Sequence, residues 1–538
     1  MRRSPTFPPV MTLPPVTAAD RRPSERAAFR TLSLLDAIGN RLYGWRANPL
    51  YQSGTIVIAL FLVLLVTGLW LILFYRIGAP YASVARITAD PYIGNWMRGV
   101  HRYASDAAII ATLLHAFRMF AQGRSWGPRA LAWTTGVGLL GLLLVCGWTG
   151  YVLVWDTFGQ LLAREGARML DALPILSEPT SRAFTGEHDL PDAFFFLNLF
   201  AHIGIPLALG LGLWLHLSRV ARPALLPPSP VLWGVVGALV AISLALPIGM
   251  APEASAFRSP GSVRVDLFYA FWLPLLHPLG GGTALLVMLA GALLFLGVPF
   301  VTRRRASVAP PPSAVDEDIC VGCRQCAEDC PYDAITMIAR APGGRSEQVA
   351  RVDPARCVSC GICAGSCAPM GVGPPGRTGR DQLAEARAFI AAPGRRPGEH
   401  IVICCDRGAD RWGDAVAAAG AAVHPVDCAG NLHTSVIEIF VRAGAAGVLV
   451  IACPPRDCWN REGPRWLVER MYHDREAELQ ARVDRRRVRV AYANAAERAD
   501  ALRALREFVA DTTPLGAAAA AAGDVGAACE PTAVETEK

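Results

Sequence analysis

Residues 97–121 read MRGVHRYASDAAIIATLLHAFRMFA, an apolar stretch with His101 and His115 fourteen positions apart. Fourteen residues turn an α-helix by about 1400°, about 40° short of four turns, so both imidazoles face one way about 21 Å apart along the axis. The same interval separates His202 from His216 in a second apolar stretch at 193–217. One uncharged span, 131–155, lies between the two stretches. The two histidine helices therefore run in the same direction, and His101 can face His202 at one depth while His115 faces His216 at the other. Such pairs of neutral imidazoles suit axial ligation of haem iron. A lone histidine in a membrane helix is commonly a helix-to-helix hydrogen bond, but two parallel pairs at one spacing favour ligation. Gly54 and Gly68, and Gly136 and Gly150, repeat the interval. Glycine lets a flat macrocycle approach a helix backbone, so these four read as packing positions for two b-type haems.

Uncharged runs at 54–75, 131–155, 193–217, 231–252 and 281–301 are each of a length that crosses roughly 30 Å of hydrocarbon. The stretch at 97–121 makes a sixth span, interrupted by His101, Arg102, Asp106, His115 and Arg118. Ionisable groups at that depth mark function. The first 45 residues hold no continuous apolar run, so no cleaved signal peptide is expected. Residues 26–46 instead space Phe29, Leu32, Leu35, Ile38, Leu42 and Trp45 at helical intervals, the pattern of an amphipathic helix lying on a membrane surface. With six spans, one side receives fifteen arginines in its short segments and the other side seven. That bias places both termini in the cytoplasm and the chain in the cytoplasmic (inner) membrane. The whole chain of 538 residues is 52% hydrophobic and 18% charged, which excludes global disorder and collagen-like structure and fits two unlike halves. Lys538 is the single lysine among 52 basic residues. The net charge of +7 therefore reflects composition, and no nucleic-acid partner is expected.

The 15 cysteines are uneven, Cys146 alone preceding Cys320. After a Pro-rich linker at 309–318 comes Cys320-x2-Cys323-x2-Cys326-x3-Cys330-Pro331, repeated as Cys357-x2-Cys360-x2-Cys363-x3-Cys367. At this spacing three thiolates wrap one [4Fe–4S] cluster and the fourth reaches its neighbour. One set is then Cys320, Cys323, Cys326 and Cys367, and the other Cys357, Cys360, Cys363 and Cys330. Paired zinc sites are the alternative; the duplication and the Cys-Pro ending favour clusters. Farther on, short apolar runs at 400–405, 421–427, 447–453 and 487–493 alternate with amphipathic stretches at 411–420, 432–443, 461–482 and 495–510. Such alternation predicts a parallel sheet covered by helices. Cys404, Cys405, Cys428, Cys453 and Cys458 fall at the carboxyl ends of its strands, where these folds bind ligands, and could hold a [2Fe–2S] cluster. Whether Cys404 or Cys405 ligates is open, and buried structural cysteines with a reactive disulfide are the other reading. His433 reads as a polar-face residue. The fold class is multidomain: an all-α membrane bundle over 1–308, with 1–53 as its cytoplasmic N-terminal segment, an α+β two-cluster domain at 319–372 and an α/β domain at 400–510. Residues 373–399 read as a linker and 511–538 as a disordered tail, with Cys529 a spare thiol.

Residues 54–301 resemble the cytochrome b of quinol–cytochrome c oxidoreductases and of the photosynthetic b-f complex. The stretches that carry the likeness are TGLWLILFY, YASVARIT, NWMRGVHRYAS, LLHAFR, TGYVLVWD and AHIGIP. The resemblance implies that Arg98 and Arg118 neutralise haem propionates, that quinone is the substrate, and that the chain forms a homodimer. The family carries Pro-Glu-Trp-Tyr before its last spans where this chain reads Val265-Asp266-Leu267-Phe268, and Pro where it has Val154. Asp266 is the carboxylate left there, either to accept a quinol proton or as an ordinary loop acid. Residues 319–372 are similar to two-cluster bacterial ferredoxins, with Ala368 as an extra residue before Pro369. Residues 400–510 are similar to the delta (iron–sulfur) subunit of methyl-viologen-reducing hydrogenase, through Asp427-Cys428-Ala429-Gly430, GAAGVLVIAC and PPRDCWNREG. That likeness implies a cytoplasmic flavoprotein or a hydrogenase- or heterodisulfide-reductase-like partner. Together these features predict a quinone-linked oxidoreductase subunit that needs partner chains. The alternatives are a membrane anchor and conduit without its own quinone site, and a redox sensor.

Overall fold

The computed structural model describes residues 22–523 except 127–128, 174–178, 185–189, 219–221, 256–265, 304–310, 342–343, 406–408 and 474. Val265, Cys529 and the arginines Arg2, Arg3, Arg21, Arg219, Arg258, Arg264, Arg304 and Arg305 of the charge count lie outside the described residues. The chain forms two compact units, residues 47–305 and residues 1–46 with 306–538. The sequence assigns residues 1–53 to the membrane domain; in the structure the described residues up to Arg46, with most of helix α1 (Pro23–Ala47), belong to the other unit.

The membrane unit is helical because its apolar runs leave no polar backbone to hydrocarbon. Its helices are α2 (Ser53–Ile72), α3 (Pro80–Ala89), α4 (Gly94–Ala121), α5 (Ala130–Val154), α6 (Thr157–Leu170), α7 (Asp192–Ser218), α8 (Ser229–Ala245) and α9 (Leu273–Thr302). Among the described residues, five segments are long and apolar enough to cross a membrane: Pro49–Ile72, Gly94–Ala121, Ala130–Val154, Asp192–Ser218 and Pro278–Thr302. The sixth expected span, 231–252, is shorter than its hydropathy implies. Helix α8 is 17 residues long and ends at Ala245, two residues before Pro247, whose ring disfavours helix in the residue ahead of it. Leu69, Leu73, Leu207, Leu293 and Phe300 point outward, whereas Leu60, Ala104, Ala108 and Val152 are buried. Small residues bring the helices together: a Cβ on Gly99 of α4 would stand 3.0 Å from Ser243 of α8, and one on Gly147 would overlap the Tyr269 ring. Helix α6 packs against α5 and α9 and is capped by Asp156, whose carboxylate accepts from the amides of Phe158 and Gly159 at 3.1 and 2.9 Å. It buries Leu162 against Ala270, Trp272 and Leu276.

In the other unit, strand β1 (Ala314–Val315) pairs antiparallel with β4 (Val372–Gly373), and β2 (Ile335–Ala339) with β3 (Gln348–Val352). Short helices α10 (Gln325–Glu328) and α11 (Ile362–Ser366) lie within the two cysteine motifs and carry Cys326 and Cys363. The core here is made largely of thiols, with Cys326, Cys330, Cys357, Cys363 and Cys367 packed among Ala334, Ile335 and Ala350. Beyond it, strands β5 (His400–Cys405), β6 (Ala422–Val426), β7 (Gly447–Ala452) and β8 (Val488–Tyr492) form an all-parallel sheet in the order β6-β5-β7-β8. Helices α12 (Gly379–Ala391), α14 (Thr434–Arg442) and α15 (Gly463–Tyr472) cover one face through Ala386, Phe440 and Leu467. Helices α13 (Asp414–Ala418) and α16 (Arg498–Gly523) cover the other through Val416, Leu505 and Phe508. Both faces of a parallel sheet must be covered in this way.

Four sequence boundaries change. The expected linker 373–399 contains α12, whose Thr378 and Asp381 make a capping box. The domain does not stop at 510: Thr512 is buried, and its hydroxyl meets His400 Nε2 at 2.8 Å. The helix expected over 461–482 ends at Tyr472. Helix α1 docks its polar side on this domain, where Asn40 donates to Glu497 at 2.8 Å and Asn494 donates to the Ser33 carbonyl at 3.3 Å. Leu34, Ile38 and Leu42 remain exposed while Leu32 is buried. Because α12 is part of the core, replacing Thr378 with Ala should cost about 1 kcal/mol locally. Hydrogen exchange across residues 379–391 checks it, with protection expected to fall roughly fivefold.

Candidate metal centres

Each membrane histidine packs against a Ser-Gly or Thr-Gly dipeptide on the facing helix. His101 meets Thr67-Gly68, His115 meets Ser53-Gly54, His202 meets Thr149-Gly150 and His216 meets Thr135-Gly136. A Cβ on any of these glycines would stand 3.0–3.5 Å from the imidazole Cε1. The sequence assigns the glycines to macrocycle packing; in the structure the space they leave admits the imidazole ring. The hydroxyls lie 2.8 Å from His101 Nδ1, 3.0 Å from His202 and His216 Nδ1, and 3.4 Å from His115 Nδ1. Each threonine hydroxyl already donates to a carbonyl of its own helix: Thr67 to Val63 at 2.7 Å, Thr135 to Leu131 at 2.9 Å and Thr149 to Cys146 at 2.7 Å. Its oxygen can then only accept from the imidazole. The proton is thereby held on Nδ1 and the Nε2 lone pair is left for a metal.

His101 and His202 face each other with ring centroids 6.4 Å apart. That gap accommodates one metal between two nitrogens, each bond being roughly 2 Å. His115 and His216 lie at the other end of the same two helices, fourteen residues on. The donor set therefore fits iron held by two imidazoles at each of two depths. Arg98 and Arg118 flank the histidines of α4, one turn outside each. Arg98 donates to the Ile248 carbonyl at 2.7 Å, and Arg118 is buried, its guanidinium 4.8 Å from the Tyr51 ring centre. Asp266 is a held carboxylate. One oxygen accepts from the amides of Phe268 and Tyr269 at 2.8 and 2.7 Å, and the other from Arg102 at 2.5 Å and the Tyr151 hydroxyl at 2.6 Å. Arg102 also pairs with Asp106.

The ferredoxin-like segment has two cavities. One, of about 350 Å³, is lined by Cys320, Cys323, Cys326 and Cys367; the other, of about 300 Å³, by Cys330, Cys357, Cys360 and Cys363. These are the crossed sets expected from the spacing. Among the described residues no three His, Cys, Asp or Glu side chains close on a point as a single-ion site would. The thiols stand around a space instead, which suits a polynuclear cluster. Backbone amides already point at sulfur, Ala334 to Cys330 at 3.3 Å, Gly371 to Cys367 at 3.2 Å and Ser313 to Cys357 at 3.3 Å. Burial pushes the Cys363 thiol up to about 12, opposed by the Ser313 hydroxyl, and pushes Cys326 and Cys360 up as well. Bound iron supplies the positive charge that holds such thiols as thiolates.

A third group of thiols gathers at the carboxyl end of the parallel sheet. Cys405 lies 3.4 Å from Cys453, Cys453 contacts Cys458, and Cys458 contacts Cys428. Gly463 leaves room beside them: a Cβ there would stand 3.0 Å from Cys428 Sγ and 3.2 Å from Cys458 Sγ. Successive side chains of a strand point to opposite faces, and Cys404 packs on the far side with Trp412 and Val416. The structure thus brings Cys405, and not Cys404, to the group. None of the described cysteines is in a disulfide. His433 is buried rather than on a polar face: its Nε2 meets the Cys367 carbonyl at 3.2 Å. Burial, aided by the charge of Arg470, pulls it down to about 4.

Residues 42–222 match the family model described as cytochrome b/b6/petB, residues 319–371 that of the 4Fe-4S dicluster domain, and residues 401–516 that of the methyl-viologen-reducing hydrogenase delta subunit. The chain carries these three domains in that order. A solved structure entitled hyperthermophilic respiratory Complex III is similar at 17% identity and a TM-score of 0.40, covering 53% of this chain and 82% of that one. The cytochrome b match spans all four histidines and the dipeptides that face them. Those dipeptides are what sequence reasoning missed: a hydroxyl residue precedes every glycine of the fourteen-residue repeat, at Ser53, Thr67, Thr135 and Thr149. Replacing Thr149 with Val keeps the shape and removes the acceptor. Outer-shell losses of this kind weaken metal binding about 10–100-fold. Haem titration of the cytochrome b domain in the full chain checks it, with the Thr67→Val variant behaving alike at the paired ligand.

Proposed function

We propose that this chain is the membrane subunit of a quinone-linked oxidoreductase, passing electrons between the quinone pool and a cytoplasmic redox partner. The domain order already makes it a membrane electron-transfer subunit. The observation that carries the finer reading is the hydroxyl set against Nδ1 of His101, His202 and His216, which leaves each Nε2 for a metal. His101 with His202, and His115 with His216, would hold two b haems, and haem when bound supplies reversible one-electron chemistry. Helices α2 and α5 then orient those ligands through Thr67, Ser53, Thr149 and Thr135. The two crossed cysteine sets would hold [4Fe–4S] clusters. Cys405, Cys428, Cys453 and Cys458 would hold a [2Fe–2S] cluster facing a flavoprotein or hydrogenase-like partner. The arginine bias supports cytoplasmic termini, which puts the thiol domains on the side where such partners are found.

A second reading, a conduit without its own quinone site, draws on Asp266. Both of its oxygens are occupied, one by Arg102 and Tyr151 and the other by two amides. A quinol hydroxyl would have to displace one of these four donors to reach it. Purified full chain mixed with a short-chain quinol under anaerobic conditions separates the two readings. Haem bands that reduce in wild type and slow at least tenfold in Asp266→Asn support the quinone site with Asp266 as its proton acceptor. Bands that reduce with dithionite but never with quinol favour the conduit.

A further inference from the structure

The ferredoxin-like and delta-subunit-like domains meet on a fully buried arginine that the reading above does not use. Arg470 of α15 donates to Ser366 Oγ at 2.8 Å and to the Ile362 carbonyl at 3.3 Å, both on α11, the helix that carries Cys363. Its other terminal nitrogen donates to the Gly430 carbonyl at 2.6 Å, two residues beyond Cys428. One guanidinium thus holds the cysteine-bearing segments of two different centres. Glycines make the approach possible. A Cβ on Gly365 would stand 2.7 Å from Arg470 Nη2, one on Gly361 2.6 Å from Asn431 Cγ, and one on Gly430 would overlap the backbone of Gly463. A second tie crosses the same seam, where Arg461 donates to the Pro331 carbonyl at 2.6 Å, directly after Cys330.

Charge makes this arginine more than a tether. A buried guanidinium is expensive unless an anion answers it. The four bonds Arg470 makes go to carbonyl and hydroxyl oxygens, and Nε finds no acceptor. Asp329 is reached only through Ser366 Oγ, at 2.5 Å from the carboxylate, and is itself paired with Arg475. Glu328 lies 3.9 Å from Arg475, and His433 stands near enough for Arg470 to act on it. Asp329 is the strongest charge acting on Arg470, and the sulfurs of Cys428 and Cys363, one from each thiol set, also lie near enough to act on it. Clusters ligated by four thiolates would add negative charge beside this buried cation, whose carboxylate Asp329 is shared with Arg475.

We propose that Arg470 is the positioning residue of an electron-transfer junction between the centre held by Cys330, Cys357, Cys360 and Cys363 and the centre held by Cys405, Cys428, Cys453 and Cys458, and that its charge raises both midpoint potentials. This rests on the cluster assignments of the proposed function. One electron leaves one centre and enters the other, with no bond made or broken and no proton moved.

Redox titration of the full chain, followed by electron paramagnetic resonance, tests it with Arg470→Met and Arg470→Lys. In Arg470→Met the reduced-to-oxidised ratio of both centres at fixed poise should fall about tenfold, ~59 mV for a one-electron couple, and the spin–spin splitting between them should weaken. Arg470→Lys keeps the charge but cannot hold both segments, so its potentials should stay near wild type while the splitting weakens. Arg470→Met with full iron, unchanged potentials and unchanged splitting overturns the proposal. Should Arg470→Met fail to load iron, Arg470→Lys decides, and wild-type splitting in that variant overturns it. A wild-type chain with two [4Fe–4S] signals and no third signal removes the third cluster, a failure of the underlying reading distinct from an unresponsive Arg470.

Discussion

The structure turns on a hydrogen bond placed where water is absent: the imidazole Nδ1–H of a membrane histidine given to a hydroxyl on the facing helix. In hydrocarbon an unsatisfied polar group is costly, so the hydroxyl and the ring fix one another. Thr67, Thr135 and Thr149 have each spent their own proton on a carbonyl one turn back. The imidazole is left no choice of tautomer, and Nε2 is left free. Four such contacts pair α2 with α4 and α5 with α7 antiparallel, since Gly68 and Gly54 meet His101 and His115 while Gly150 and Gly136 meet His202 and His216. The helix pairing and the ligand orientation are one arrangement.

The thiol-rich unit follows a parallel logic with sulfur in place of nitrogen. Its small strands bury little, and much of the core is cysteine. Apart from iron, the thiols of Cys326, Cys360, Cys363 and Cys367 are pushed toward their neutral form by burial; iron, when bound, would supply the bonds that hold the domain together. The parallel sheet supplies a third set of thiols at the one edge where strand ends converge, and the glycines Gly361, Gly365, Gly430 and Gly463 let its loops close on the neighbouring cysteine helix. Continuity of centres is thus built from close backbone approach.

Much of this was legible in the residue string. Spacing alone paired the histidines and crossed the cysteine sets, because helical periodicity and the three-plus-one cluster motif are local properties. Strands at 400–405, 447–453 and 487–493 were readable from their apolar runs. The residues missed share one trait, that their partners are distant in sequence. Thr67 and Thr149 look like ordinary membrane-helix residues until a histidine 34 or 53 positions away faces them. Asp266 reads as a loop acid until Arg102, 164 positions away, is seen to hold it. Cys404 and Cys405 are adjacent, and only the packing of each face of β5 decides between them. Helix α12 was hidden because Pro- and Gly-rich flanks resemble a linker, and the docking of α1, itself legible as a helix, was hidden because its apolar stripe could not say which side would be docked.

The central claim, that two pairs of hydroxyl-oriented imidazoles hold two haems in the membrane unit, is tested most directly by counting haem per purified chain. The account predicts two haems in wild type and one in His216→Ala, with the spectrum of the His101–His202 centre retained. A folded wild-type chain that carries full iron–sulfur content but no haem, or a His216→Ala chain that still carries two, would contradict it.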